Sequence, residues 1–204
     1  MLKHTLLASL LALTSASAFA AAETYTIDGS HTQANFTWTH FGFSNPTGGF
    51  DNIAGTITYD ADHPEKSSVE VTIAIDSMNT HVADLDTHLK KADFFDAAQF
   101  PTATFKSTKV VAAADKGDFK VSGDLTIHGV TRPVTLDAKL NRAAVHPMTN
   151  QPTIGFDGSV TIKRSDFGIG AYVPNVSDEI RIRITTEASV PKKADAADAG
   201  KAAK

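Results

Sequence analysis

Apolar residues recur at every second position along most of this chain, which is the period of strands that bury one face. Ala34, Phe36, Trp38 and His40 share one phase, with Gln33, Asn35, Thr37 and Thr39 in the other. Val69, Val71, Ile73 and Ile75 oppose Ser68, Glu70, Thr72 and Asp76. The alternation returns in Phe119–Ile127, Val134–Leu140 and Ile154–Ile162, and in Ile180, Ile182 and Ile184 set against Arg181 and Arg183. With Ile53, Ile57, Tyr59 and the stretch around Phe105, this predicts about eight long strands. Turn-forming clusters separate them, among them Asn45–Gly49, Asp60–Pro64, Ala114–Gly117, His128-Gly129 and His146–Pro152.

One segment departs from period two. From about Val82 to Phe95 the apolar positions Leu85, Leu89, Ala92 and Phe94 or Phe95 return at spacings of three and four, so a short helix or a pair of helical turns is expected there, capped by Asp84 or Asp86. Pro101 forces an extended chain before the next strand. Antiparallel strands with one apolar face and no second helical layer must close on themselves or stack as a sandwich. The expected fold is all-β with one short helical segment, in a single domain.

The two ends read differently. Residues 1–20 carry Lys3, an apolar run from Leu6 to Leu13 and small residues ending Ala18-Phe19-Ala20, the layout of a signal peptide cleaved after Ala20 or Ala22. That run is too short to span a bilayer, and no later stretch approaches the length required, so stable membrane insertion is not expected. Residues 191–204 mix Ala, Lys, Asp and Gly with no large apolar side chain, and are expected to form a disordered tail. The folded domain is thus placed at residues 23–190. The absence of cysteine closes both disulfide stapling and lipid anchoring through an N-terminal thiol.

Charge narrows the partners. The chain has 19 basic and 23 acidic residues; without Lys3 and the four lysines of the tail, and without Asp195 and Asp198, residues 23–190 keep 14 and 21, a net −7. Phosphate-backbone binding rests on clustered Lys and Arg, so nucleic acid is not an expected partner.

The candidate chemistry is apolar. Twelve Phe stand against three Tyr, and Phe36, Trp38, Phe50, Phe94, Phe95, Phe105, Phe156 and Phe167, with the aliphatic Ile73 and Leu125, are candidates to line a cavity. From the residues alone a filled core is the default, since interiors are close-packed. His40 and Arg164 are the polar residues sharing an inward phase. Arg164 either meets a ligand head group, stacks on Trp38 or pairs with Asp166. Asp84, Asp86, His88, Asp93 and Asp96 lack metal-site spacing, so no metal is expected; His88 is expected to hydrogen-bond the adjoining loop. Asp28 and His31 read as a turn at a strand start, with Asp28 accepting local backbone protons. No GxSxG elbow is present and no catalytic residue is assigned.

Four stretches carry a family signature: Gly123-Asp124-Leu125-Thr126-Ile127-His128-Gly129-Val130-Thr131-Arg132-Pro133-Val134; Asp86-Thr87-His88-Leu89 running to Asp93-Phe94-Phe95-Asp96; Phe100-Pro101-Thr102-Ala103-Thr104-Phe105; and Arg164-Ser165-Asp166-Phe167-Gly168. In this order, from about Tyr25 to about Val190, the chain resembles the YceI-like family of polyisoprenoid-binding periplasmic proteins. The resemblance implies an extended, lipocalin-like antiparallel β-barrel with an elongated apolar cavity and a helix near one opening. It further implies a periplasmic carrier or store of a long-chain isoprenoid lipid, a polyprenyl phosphate or a quinone-type tail, with no cofactor, no enzymatic activity and dimers as an expected assembly. The alternatives are an envelope stress-response module that binds another protein and, further off, a lipid-modifying enzyme using His40 or Arg164.

Overall fold

Each period-two stretch folds back beside the one before it, because the turn-forming clusters between them are short. The computed structural model describes residues 22–192; the expected signal segment and the tail beyond Lys192 lie outside them. The strands are β1 (Glu23–Thr37), β2 (Thr47–Phe50), β3 (Ile53–Tyr59), β4 (Ser68–Ala74), β5 (Met78–Asn79), β6 (Thr102–Ala112), β7 (Asp118–Ile127), β8 (Val130–Val145), β9 (Pro152–Lys163) and β10 (Glu179–Ser189). All pairings are antiparallel, and the sheet runs β10-β9-β8-β7-β6-β4-β3-β1 before β10 closes on β1. Eight strands therefore make a closed lipocalin-like barrel. The short β2 and β5 extend from the second half of β1 as a flap.

Local chemistry sets the turns and registers. His128 and Gly129 join β7 to β8 in two residues, both with positive φ (52° and 71°), the conformation that matches strand twist in a tight hairpin. A Cβ on Gly129 would come within 2.5 Å of the Phe100 ring, so glycine serves there twice over.

Asp28 and His31 lie within β1, not at its start. The register against β10 jumps between Asp28 and Gln33, making a bulge. The Asp28 carboxylate accepts from the Ser30 hydroxyl (2.6 Å), the Ser30 N–H (2.9 Å) and His31 Nδ1 (2.7 Å). The Ser30 hydroxyl, then His31, hold its pKa down to about 2, while Asp28 in turn raises that of His31. The bulge turns Thr32 inward, where its hydroxyl meets that of Thr186 at 2.9 Å.

The helix is α1, Ala83–Leu89, shorter than the periodicity implied, with hydrogen-bonded turns following it to Phe100. Its N-cap is Val82, without a side-chain bond, which corrects the expectation of an aspartate cap. Asp86 instead accepts from the N–H and the hydroxyl of Thr80, at 2.7 and 2.6 Å, and so ties α1 to β5. His88 packs edge-on against Phe94 with ring centroids 4.9 Å apart, and its imidazole makes no hydrogen bond among the described residues. Among the described residues no helix is long and apolar enough to cross a membrane.

Buried clusters pack both ends of the barrel, and a third, of Phe105, Val110, Phe119, Val121, Leu125, Ile162 and Phe167, packs along β6, β7 and the end of β9. At the helix end Ile75, Met78 and Ala103 are buried beneath Phe36, Phe50, Leu89 and Phe95. At the other end Tyr25, Ile27, Ile154 and Ala188 form a second buried cluster. Between them, inward residues of β4, β8 and β10, such as Val71, Leu136 and Ile182, are only half-buried although they face the barrel axis. A filled interior would bury them fully.

Candidate ligand-binding cavity

These half-buried positions, together with buried ones such as Ile53, Phe105 and Val121, surround a cavity of about 190 Å³. Its walls come from every strand of the barrel: Ala34 of β1, Ile53 and Ile57 of β3, Val69 and Ile73 of β4, Phe105 of β6, Val121 of β7, Leu136 of β8, Val160 of β9 and Ile184 of β10 all contribute. Ile53 to Tyr59 spans six residue steps, or about 20 Å along the strand at ~3.3 Å each. With the tilt usual in barrels, of about 35–45°, this is on the order of 15 Å along the axis. So small a volume over such a length makes a slender tunnel, suited to one extended hydrocarbon chain.

No Lys, Arg or His stands in those walls. Asp157 belongs to the outward phase of β9, exposed like Ser159. The polar groups are hydroxyls. Thr32 and Thr186 satisfy each other, and Thr58 bonds Thr24 on the outer face at 3.0 Å. Ser67 Oγ accepts the Asp60 N–H at 3.0 Å. Tyr59 stands at the end of the tunnel away from α1, edge-on to Phe119 and Phe156 with centroids 6.3 and 5.7 Å away.

The hydrogen-bond ladder of the wall is interrupted near that end. The β4–β6 ladder stops at Glu70 and Lys106, after which the Val69 N–H turns to the Ser107 hydroxyl at 2.9 Å and β6 shifts register between Ser107 and Lys109. The cavity extends to Ser67 and the exposed Ser68 beside this break.

Of the twelve residues singled out from sequence, Ile73, Phe105, Leu125 and Phe156 line the cavity together. The Phe105 ring lies over Gly123, where a Cβ would come within 2.6 Å of it, so the glycine makes room for the ring at the wall. Four others sit in or beside the helix-end plug. Phe36 stacks on Trp38 at 5.8 Å and meets Phe50 at 5.5 Å, and Phe50 meets Phe95 at 6.1 Å. Phe94 packs between His88 and Tyr172, and Phe167 is 1% exposed within the core below the plug. His40 is exposed, its backbone bridging Ser44 and Val176.

Arg164 differs from each alternative offered by sequence. It opens a 3₁₀ turn after β9, and only 8% of it is exposed. Nε donates to the Ser177 carbonyl (2.9 Å), Nη1 to that of Ile169 (2.8 Å) and Nη2 to that of Val176 (3.0 Å). The guanidinium fork thus clamps the loop between the 3₁₀ turn and β10, and pairs with neither Trp38 nor Asp166.

Most of the wall consists of aliphatic residues that the strand pattern shows without singling out. Tyr59 is one of the hydroxyl-bearing wall residues, with Thr32, Thr58, Ser67, Ser68 and Thr186, that sequence reasoning did not single out. Its only signal was a hydroxyl in an otherwise apolar phase.

A YceI-like domain model matches residues 25–188 of the chain. Protein YceI of Salmonella arizonae is 40% identical over 181 residues, covering 89% of this chain and 93% of that protein. The YceI protein of Campylobacter jejuni, solved by crystallography, is 34% identical with a TM-score of 0.68 over 76% of this chain and 90% of its own. A polyisoprenoid-binding domain from Saccharophagus degradans superposes with a TM-score of 0.66 over 82% of this chain and 98% of its own, at 17% identity, a likeness of fold.

Proposed function

Because the chain belongs to the YceI-like family, we propose that it binds a long-chain isoprenoid lipid inside its barrel and carries or stores it in the periplasm. The observation that bears most weight is the tunnel: inward aliphatic side chains left half-buried around a continuous apolar space. Apolar groups facing a void forgo both dispersion contacts and full removal from water, so a well-packed protein has no use for such an arrangement unless something occupies it.

The energetics suit a hydrocarbon tail. Each methylene taken from water contributes about 0.8 kcal/mol, so a few isoprene units offset the ordering of one flexible chain. The tunnel exceeds a cavity of about 150 Å³ that is known to hold benzene, yet it is narrow along its length. A lipid longer than the tunnel leaves its remaining units and its head group at the Tyr59 end. The Saccharophagus degradans domain, described as polyisoprenoid-binding, has the same fold, which supports this reading. The N-terminal segment supports the compartment. A sheath for an otherwise insoluble tail is a sufficient role, and no step of it requires catalysis.

Organic extraction of the purified protein followed by mass spectrometry tests the reading. The expected result is an isoprenoid lipid at near-stoichiometric yield, or stoichiometric uptake of an added polyprenol by protein stripped of lipid. Absence of both overturns it.

A further inference from the structure

Residues 38–50, which link β1 to β2 and include β2, and residues 167–177, which lead towards β10, hold no Asp, Glu, Lys or Arg. At the chain's 21% charged content, about five would be expected over that combined length. Both segments leave the barrel at the helix end, because Thr37 at the end of β1 pairs with Thr47 of β2 and with Arg181 near the start of β10.

The uncharged segments also carry the exposed rings. Among the described residues the exposed large apolar side chains include three aromatic ones, Phe43 at 92%, Tyr172 at 62% and Phe41 at 50%, and all three stand here with Val173. Phe41 and Tyr172 have positive φ, 50° and 64°, a conformation that a bulky residue adopts only where its surroundings hold it. Hydrogen bonds supply that hold. The Phe41 N–H donates to the Asn175 carbonyl at 2.7 Å and the Ser177 N–H to that of Thr39 at 2.9 Å, tying one segment to the other. His40 donates to Ser44 and Val176 to Tyr172, both at 2.9 Å, and the Arg164 fork takes three more carbonyls. With so much of its backbone paired from within, this crest can leave water without stripping many bare N–H groups, which is the condition for entering an apolar phase.

The size of the crest bears on what covers it. At about 200 Å² for a whole aromatic side chain, the three rings present roughly 400 Å², about half of the ~800 Å² that each partner buries in a standard protein interface. Phe41 and Phe43 project from a tight turn closed by His40 and Ser44, whereas a partner protein is met by a broad face. Nor does charge single out an anionic partner. Lys163 and Arg181 border the crest together with Asp166, Asp178 and Glu179, and Lys90 and Lys91 stand among the four aspartates of residues 84–96.

We propose that this crest, with Phe43 at its tip, docks the helix end of the barrel on the surface of a lipid bilayer, its rings entering among the head groups by apolar contact and not by charge. Docking of this kind needs nothing in the tunnel, so it stands apart from the cargo.

Flotation of the purified protein, with cleavage of the expected leader checked by intact mass, on phosphatidylcholine vesicles free of isoprenoids tests this. Trp38, the chain's single tryptophan, stacks on Phe36 at the base of the crest and reports orientation: its fluorescence should transfer to dansyl-labelled phospholipid in the same vesicles. Added phosphatidylglycerol or raised salt should change binding by less than about twofold. Phe43→Ser removes a ring that the fold leaves in solvent, so Tm should be unchanged while vesicle affinity falls about tenfold or more, as expected for one aromatic side chain kept out of an apolar phase. Phe43→Trp should bind at least as well as the wild type. Failure of the wild type to float, flotation unaltered by Phe43→Ser, or binding that needs phosphatidylglycerol and is lost in salt overturns the proposal. A wild-type dimer that Phe43→Ser converts to a monomer gives the crest to a second copy of the chain and overturns it equally. Vesicle binding without any uptake of isoprenoid upholds the crest and removes only the carrier reading.

Discussion

Replacing Phe156 with aspartate is expected to abolish lipid uptake at neutral pH while the barrel remains assembled. Phe156 is half-buried, lines the tunnel and stands among Tyr59 and Phe119, with no cation in the walls to meet a carboxylate. A lipid tail entering beside that carboxylate would strip its water. The penalty for an uncompensated buried ion is several kcal/mol, and about 3–5 kcal/mol corresponds to a loss of roughly 10²–10⁴-fold in affinity. The sign of the pH dependence follows. Desolvation disfavours the charged form, so the new carboxyl titrates above the ordinary aspartate range, and binding returns as pH falls through that raised value. Phe156→Leu, apolar and smaller, should bind almost as the wild type does. Lipid binding by Phe156→Asp at neutral pH, in a variant with native circular dichroism, would remove this position from the tunnel wall in function.

Arg164→Ala is expected to produce the largest loss of stability. Its three hydrogen bonds hold carbonyls at positions 169, 176 and 177, and truncation leaves those acceptors without the donors around which the loop is folded. Hydrogen bonds involving a charged group contribute about 1.5–3 kcal/mol each and are not additive, so a loss of about 3–5 kcal/mol is anticipated. For a domain of this size that lowers Tm by about 10 °C, measurable by thermal denaturation. Arg164→Lys should recover only part of it, because an ammonium cannot reproduce a planar fork aimed at three carbonyls. The arginine does not line the tunnel, so hydrocarbon affinity at temperatures where the variant is folded should be unchanged. A variant with wild-type Tm that no longer binds lipid would reverse the assignment and make Arg164 a ligand residue.

The strand pattern made the barrel legible because a period of two reports which face of a strand looks inward, and the inward phases of β4, β7, β8, β9 and β10 all stand as the sequence implies. It could not report depth. Phe36 and Phe105 share the inward phase of their strands, yet one plugs the helix end and the other lines the tunnel. That difference arises from how eight strands stagger around the barrel, a long-range property invisible along any one of them. Weighting the aromatics as cavity residues therefore favoured the ends, where rings pack on rings, over the aliphatic layers that enclose the space. Arg164 shows a second limit. Its phase continues from Ile162, but the strand ends at Lys163 and the side chain turns into a loop whose carbonyls come from residues up to 13 positions away. Asp86, similarly, has the composition of a helix cap but satisfies Thr80 instead, because the preceding strand β5 lies within its reach.

The hollow interior itself is most directly tested by calorimetric titration with neutral prenols of increasing length. Affinity should climb with each added isoprene unit while the tunnel of about 15 Å is filling and level off once the chain outruns it, with a negative heat-capacity change throughout. Affinity independent of chain length, or no binding at any length, would contradict a tunnel that holds the tail.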